Sequence, residues 1–287
     1  MGENIKDYKS AGFILKPNAP EIKDTFLAIK QQFLDAGIDV LLDEASAKMI
    51  GLEGVDFNDM CKSSDFLVSL GGDGTLLSLV RRSYKFSKPV CGINAGNLGF
   101  LADVRIEEVD NFLKQLRANE CRIDDRMMIT GVLSSNNKVA EFYAFNDVVV
   151  TRDSVSKMAT IEAYVEDEMF NSYRGDGLII STPTGSTAYN LAADGPVIYP
   201  LTKAFILNPI CPHSLTQRAL VMPADFTIKI KTPNKKLLIV VDGQDSYSLE
   251  KEDELIIRGS KRSAKLLHRK ERNYFRVLKE KLSWGEE

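Results

Sequence analysis

Leu70-Gly71-Gly72-Asp73-Gly74-Thr75-Leu76-Leu77 follows without a break on the apolar run from Asp65 to Leu70, so a strand delivers one carboxylate into a turn built almost wholly of glycine. Glycine lacks a Cβ, so Gly71, Gly72 and Gly74 can take positive φ and let a ligand approach their main chain. Thr75 is placed to open the helix that follows. Free amides at a helix start suit a phosphate. The same residues also serve as a plain strand-to-helix turn, so the surrounding sequence has to decide between the two uses.

Upstream, Gly12 to Leu15 is a short apolar run. Ile22, Phe26, Ile29 and Phe33 then fall on one helical face, Gly37 ends that segment, and Val40 to Leu42 resumes extended structure, which begins a βαβ pattern. Downstream, Thr75 to Tyr84 reads as a helix and Pro89 to Ile93 as a strand, and Ile106, Val109, Phe112, Leu113 and Leu116 mark another amphipathic helix. A parallel sheet flanked by helices follows. Ligands bind beyond the carboxyl ends of such strands, where the Gly71 to Gly74 turn and a second glycine-rich turn, Asn94-Ala95-Gly96-Asn97-Leu98-Gly99, would both lie.

Past Cys121 the texture changes to short strand candidates: Met127 to Leu133, Val139 to Val150, Thr160 to Val165, Leu178 to Ser181, Phe226 to Lys231, Leu237 to Val241 and Glu254 to Ile257. Asn136-Asn137, Asp167-Glu168 and Pro233-Asn234 mark turns between them. Helical patterning returns at Asn273 to Leu282 through Phe275, Leu278 and Leu282. The expected division is an α/β domain over residues 1–120, to which 270–287 returns, and a β-rich domain over 121–269.

Composition excludes several classes. A formal net charge of -3 gives no overall basic field, which argues against nucleic acid and leaves anionic substrates to local groups and main-chain amides. The apolar runs fall short of the ~20 residues that span a bilayer, and Met1 to Ser10 lacks a signal-peptide pattern, so no membrane partner and a cytoplasmic location are expected. Cys61, Cys91, Cys121 and Cys211 are scattered, and His213 and His268 are the only histidines, so these cysteines read as buried thiols rather than as part of a metal cluster.

A second polar stretch, Arg174-Gly175-Asp176-Gly177 through Thr182-Pro183-Thr184-Gly185-Ser186-Thr187-Ala188-Tyr189-Asn190, is dense in hydroxyls. With a helix start at Ser186 or Thr187 it offers donors for phosphate or ribose oxygens, or else a capped helix entry without a ligand.

Together these blocks resemble the NAD kinase family. The resemblance rests on Gly71-Gly72-Asp73-Gly74-Thr75, Gly92-Ile93-Asn94-Ala95-Gly96-Asn97-Leu98-Gly99-Phe100-Leu101, Asn146-Asp147, Asp176-Gly177 through Tyr189-Asn190, and Ile210-Cys211-Pro212-His213-Ser214-Leu215, occurring in that order. Lipid kinases acting on diacylglycerol or sphingosine share a similar GGDGT but not the remaining blocks. The resemblance implies an α/β plus all-β fold: an N-terminal α/β (Rossmann-like) domain and a C-terminal β-sandwich-like domain, with the C-terminal helix returning to the first. It also implies transfer of a phosphoryl group from ATP, or from polyphosphate in some members, to the 2'-hydroxyl of the adenosine ribose of NAD, with a divalent cation such as Mg2+ and assembly as a homodimer or homotetramer. A lipid kinase and a non-catalytic dinucleotide-binding regulator are the alternatives.

Residue by residue, Asp73 matches the family's proton acceptor, and in a loose phosphoryl transition state its main task would be to orient the hydroxyl. On the same resemblance Gly71, Gly72, Gly74 and Thr75 would form the phosphate loop. Asn146 and Asp147 match an Asn-Glu pair that holds adenine and ribose, with aspartate where glutamate is usual; without the family, they read as a strand-end turn. Asp176 looks like the acid on the nicotinamide side, in the family's pattern across a subunit boundary, with Arg174 and Lys157 near it; by themselves these are surface charges. Thr187, Ala188, Tyr189, Asn190, Leu191 and Ala192 resemble the lining of adenine and ribose, Ala192 replacing a common serine, although Tyr189 also reads as a core aromatic. Gln244 matches another contact, after an Asp242-Gly243 pair that is first of all a hairpin signal. The chain has no G-x-x-x-x-G-K-[ST], and Gly92, Gly96 and Gly99 are wrongly spaced for G-x-G-x-x-G, so a P-loop and hydride transfer lose support. No protein-kinase signature or Gly-x-Ser-x-Gly elbow is present.

Overall fold

A computed structural model describes residues 5–96, 99–135, 138–153, 158–233 and 236–283. Lys157, Asn97, Leu98, Asn136, Asn137 and Asn234, all used in the sequence reading, lie outside the described residues. The chain divides into two compact units, Met1–Asp125 with Ala264–Glu287, and Arg126–Ser263.

The first unit begins with β1 (Ser10–Leu15), α1 (Lys23–Asp35), β2 (Asp39–Leu42), α2 (Glu44–Ile50) and α3 (Phe57–Ser63). It continues through β3 (Phe66–Gly71), α4 (Asp73–Ser83), β4 (Pro89–Asn94), β5 (Val104–Arg105), α5 (Val109–Arg117) and β6 (Arg122–Arg126). α1 turns Phe26, Ile29 and Phe33 inward, as their spacing requires, and the Phe13 ring packs edge-on against Phe26 and Phe33. The two short helices α2 and α3 escape a periodicity reading. Each is fixed instead by an aspartate cap, Asp43 accepting from the Ser46 amide and Asp56 from the Asn58 and Asp59 amides.

The second unit holds β7 (Ile129–Ser135), β8 (Lys138–Ala144), β9 (Asp147–Arg152), β10 (Ala159–Val165), β11 (Glu168–Gly175) and β12 (Gly177–Ser181). After a short helix, α6 (Tyr189–Ala192), come β13 (Ala204–Ile210), β14 (Leu220–Pro223), β15 (Ile228–Lys231), β16 (Lys236–Val241), β17 (Asp245–Glu250) and β18 (Glu254–Gly259). They form two six-stranded sheets, β11-β10-β15-β18-β7-β8 and β14-β13-β12-β9-β16-β17. One core joins their inner faces: Ile129, Phe142, Ile161 and Ile257 come from the first sheet, and Val148, Val150, Ile180, Phe205 and Ile239 from the second. The stretch Val139 to Val150, read as one strand, is two strands in different sheets, and the chain crosses over at Phe145-Asn146.

The chain then returns to the first unit with β19 (Ala264–His268) and α7 (Tyr274–Leu282), the latter capped by the Asn273 side chain. The first unit's sheet runs β2-β1-β3-β4-β19-β6, with β5 beside β4; β1, β2, β3, β4 and β5 pair in parallel, and β19 lies parallel to β4. The returning segment therefore contributes an interior strand as well as a helix, and the charged run Arg122 to Arg126 forms an edge strand of this sheet, with Arg126 opening the second unit. No helix among the described residues is long and apolar enough to cross a membrane.

Candidate active site

β3 ends at Gly71, and α4 opens at Asp73 with Gly72 as its N-cap at φ -105°, ψ -170°. The helix start corrects one expectation, since the sequence places Thr75 to open it. Among the described glycines only Gly37, Gly51 and Gly243 have positive φ, so this turn does not use the left-handed conformations its glycines permit. A Cβ at Gly71 would press on Thr75, whereas at Gly72 and Gly74 it would meet nothing, which leaves that main chain open. Thr75 is buried inside the first turn; the helix starts two residues earlier, with an acid at its positive end.

The Asp73 carboxylate is held rather than loose. Its Oδ2 accepts from the Phe100 amide at 2.7 Å, and its Oδ1 from the Leu101 and Ala102 amides at 3.1 and 2.9 Å. The parallel register of β3 and β4 brings the two glycine-rich turns side by side, with the Ala95 amide donating to the Gly71 carbonyl at 3.1 Å. Gly99 has to be glycine, because a Cβ there would run into the Asp73 carboxylate. A carboxylate offers about four acceptor positions. With three engaged by these amides, one is left over.

In the second unit a cavity of about 460 Å³ is lined by Asn146, Asp147, Val149, Thr151, Ala188, Tyr189, Val240, Asp242 and Gly243. Side chains alternate across a strand, so while Val148 and Val150 of β9 enter the core, Asp147, Val149 and Thr151 face the cavity. Tyr189, weighed as a core aromatic, is instead 48 % exposed and lines the wall. The Asp242-Gly243 turn joins β16 to β17 with φ of 50° and 65°. The Asp242 carboxylate does more than turn the chain: it accepts the Phe145, Asn146 and Asp147 amides, each at 2.8 Å, and so holds the crossover between the sheets. Sequence reasoning missed this acid, whose hairpin signal concealed its second task. Burial, followed by the neighbouring Asp242 charge, pushes the Asp147 carboxyl up to about 7. Asn146 Oδ1 is buried and has no hydrogen-bond partner.

The hydroxyl-rich stretch behaves differently from its reading as a donor set. Thr182 Oγ1 donates to the Phe145 carbonyl at 2.6 Å, Ser181 Oγ to the Thr182 carbonyl at 2.9 Å and Ser186 Oγ to the Pro183 carbonyl at 2.6 Å. A Cβ at Gly185 would overlap the Asn146 main chain, and that close approach is what sets this stretch against the Asn146-Asp147 block. The helix expected at Ser186 or Thr187 begins at Tyr189 after a single 3-10 turn, with no side-chain cap. Asn190 is buried, its Nδ2 donating to the carbonyls of Ser186 and Pro196 at 3.1 and 3.0 Å, so its side chain holds the loop together rather than facing the cavity. Thr187 and Leu191 are half-buried, and Ala192 is exposed.

Asp176 is half-buried, and its Oδ1 lies 3.4 Å from Arg152 Nη2; Arg174 is exposed on β11. Arg152 is thus the cation beside that acid, a partner the spacing gave no hint of. Gln244, exposed, closes the hairpin by donating its amide to the Val241 carbonyl at 3.0 Å. Cys61, Cys91 and Cys121 are buried as expected, whereas Cys211 is exposed at a φ of 43°. Among the described residues no group of three or more His, Cys, Asp or Glu side chains forms a metal cage.

Comparison with known proteins agrees across both units. The ATP-NAD kinase N-terminal domain profile matches residues 11–121, and the ATP-NAD kinase C-terminal domain profile matches residues 145–269. An NAD kinase of Sulfurimonas denitrificans is 49 % identical over 281 residues, 98 % of this chain and 99 % of that one; one of Wolinella succinogenes is 50 % identical over 283 residues, 98 % of each. Among solved structures, an Archaeoglobus fulgidus NAD kinase in complex with ATP superposes with a TM-score of 0.77 at 26 % identity, covering 96 % of this chain and 98 % of that one. Yeast NADH kinase complexed with NADH gives a TM-score of 0.89 at 24 % identity over 97 % and 89 %, which speaks for the fold. The lipid-kinase and non-catalytic alternatives are thereby set aside. With both of its halves matched and relatives half identical along nearly its full length, the chain belongs to the ATP-NAD kinase family.

Proposed function

We propose that in the NAD kinase reaction of this chain, phosphoryl transfer from ATP to the 2'-hydroxyl of the adenosine ribose of NAD, Asp73 orients the accepting hydroxyl while the cavity beside Asn146 and Asp147 takes the adenine. The observation that carries this reading is the state of Asp73: a carboxylate locked by three amides, with one acceptor position left over. Such a group fixes the direction of an incoming O–H more than it drives proton removal. That suits a loose transition state in which positioning and charge stabilisation supply most of the rate.

The adenine assignment follows from complementary polarity. Asn146 Oδ1 is an unpartnered acceptor for an exocyclic amine, and Asp147, pushed up to about 7, can donate its proton to a ring nitrogen. Val149, Val240 and the Tyr189 ring supply apolar wall. Thr187, Ala188, Leu191, Ala192 and Gln244 are proposed as further contacts on this side, with Asn190 acting only through the loop it fixes. Asp176, Arg174 and Lys157 are proposed for the nicotinamide side, with Arg152 added as the cation paired to Asp176. Gly71, Gly72, Gly74 and the first amides of α4 are proposed to receive donor phosphates.

Among the described residues no side chains form a cage for a metal, so the fit is to a magnesium ion carried on the nucleotide phosphates. Such an ion would neutralise charge on the transferring group. We further propose a cytoplasmic homo-oligomer: the edge strand β11 exposes Met169 and Phe170, the kind of surface a second copy covers. Sedimentation at micromolar concentration tests that assembly.

The function test is direct. Purified protein with magnesium-ATP and NAD is expected to yield NADP. Asp73→Asn is expected to lower turnover by roughly 100-fold or more, the cost of losing that positioning, while NAD affinity is kept. Unchanged turnover would remove Asp73 from the mechanism.

A further inference from the structure

Phe100 to Asp103 is held from two sides within the first unit. On one side the amides of Phe100, Leu101 and Ala102 donate to Asp73. On the other, residues from the returning segment grip the same run: Arg272 Nη2 donates to the Phe100 carbonyl, and Arg269 Nη2 donates to the Asp103 carbonyl at 3.2 Å. The Asp103 carboxylate lies 3.3 Å from Arg272 Nη1 and 3.3 Å from His268 Nδ1. His268 Nε2 faces Asp124 at 3.6 Å, and Glu108 anchors Arg269 at 2.8 Å.

His268, Asp103, Asp124 and Arg272 are all buried. Burial works against charge on Asp103, but His268, Arg272 and Arg269 outweigh it and hold that carboxyl below its ordinary value. A buried ionic cluster is a poor source of stability, since desolvation cancels much of its attraction. The first unit already has an apolar core in Phe13, Phe26, Phe33, Phe66 and Phe112, which leaves the cluster's value in what it positions.

We propose that Arg272 is a positioning residue for phosphoryl transfer: one arm of its guanidinium donates to the Phe100 carbonyl, the other is ion-paired with Asp103, and the amides strung between them set the angle at which Asp73 meets the acceptor hydroxyl. The inference rests on the role given to Asp73 above. A rigid planar fork can bond a carbonyl with one arm while the other stays ion-paired with a carboxylate; a lysine ammonium on a flexible stem holds one of them well. The arrangement also gives the return of the chain a task in the reaction.

The test compares steady-state kinetics of the full-length protein with magnesium-ATP and NAD for the parent, Arg272→Met, Arg272→Lys, Asp73→Asn, and each Arg272 variant combined with Asp73→Asn. Misplacement of a reacting group by about 1 Å costs up to ~100-fold in rate. Arg272→Met is therefore expected to lower kcat roughly 10- to 100-fold with KM for NAD within about twofold, and Arg272→Lys to fall between it and the parent. In the Asp73→Asn background the same replacements are expected to cost far less, because the group they position is gone. Equal losses in both backgrounds, or a raised KM at unchanged kcat, would overturn the proposal. Unchanged turnover in Asp73→Asn alone would instead sink the reading of Asp73, and this proposal with it. Should Arg272→Met fail to fold, Arg272→Lys, which keeps the buried charge, carries the same comparison.

Discussion

Asp147 holds its carboxyl group where burial and a neighbouring acid both oppose ionisation, and its titration should be visible in the whole protein. Below 3.8 the group is neutral in folded and unfolded chains alike and carries no penalty. Between that value and about 7 the unfolded chain has released the proton and the folded chain has not, so stability falls as pH rises through this window. Above it the penalty is complete, on the order of 4 kcal/mol. Asp147→Asn is therefore expected to raise the melting temperature at about pH 8 and to change it little at about pH 4, as read by calorimetry. If the neutral carboxyl donates to the adenine, affinity for AMP should also weaken from about pH 6 to about pH 8 in the parent and stay level in the variant. Gly99 offers a second test at this scale. Gly99→Ala puts a methyl group where the Asp73 carboxylate sits, and is expected to cut turnover by roughly 100-fold while leaving NAD affinity in place.

Among the elements, the hairpin of β16 and β17 does double work, turning the chain and holding the crossover between β8 and β9 with the Asp242 carboxylate. Asp242→Ala leaves the Phe145, Asn146 and Asp147 amides without that acceptor. A loss of ~3 kcal/mol or more in denaturant unfolding is expected, together with weaker NAD binding. Gly243→Ala, strained at a φ of 65°, should cost about 1 kcal/mol and leave the cavity intact. The longer elements were legible in the sequence because their periods are strong: Phe26, Ile29 and Phe33 for α1, and the apolar runs ending at Leu70 and Ile93 for β3 and β4. What escaped was decided by contacts distant in sequence. The break at Asn146 depends on Asp242, the state of Asp73 depends on the Phe100 to Ala102 amides, and the Thr182 hydroxyl turns inward to the distant Phe145 carbonyl. The candidate site was legible to the extent that its blocks are short and contiguous. Its internal hydrogen bonding was not.

At the scale of the whole molecule the two units have unequal independence. Residues 126–263 are continuous in sequence and carry their own sandwich core, so this fragment is expected to fold alone with a cooperative melt and to retain weak AMP affinity. Residues 1–125 by themselves lack β19, which lies between β4 and β6, and are expected to give an exposed, aggregation-prone edge in place of a closed sheet. Co-expressing 1–125 with 264–287 separates loss of that strand from loss of the second unit. The same strand order governs how the protein is born. A ribosome working from the amino end finishes the entire β-rich unit before β19 is made, so the nascent first unit must wait with a gap in its sheet. Arg269 and Arg272 emerge later still, and on this reading the kinase stays silent throughout its own translation, gaining a correctly aimed Asp73 only among the final events of its maturation.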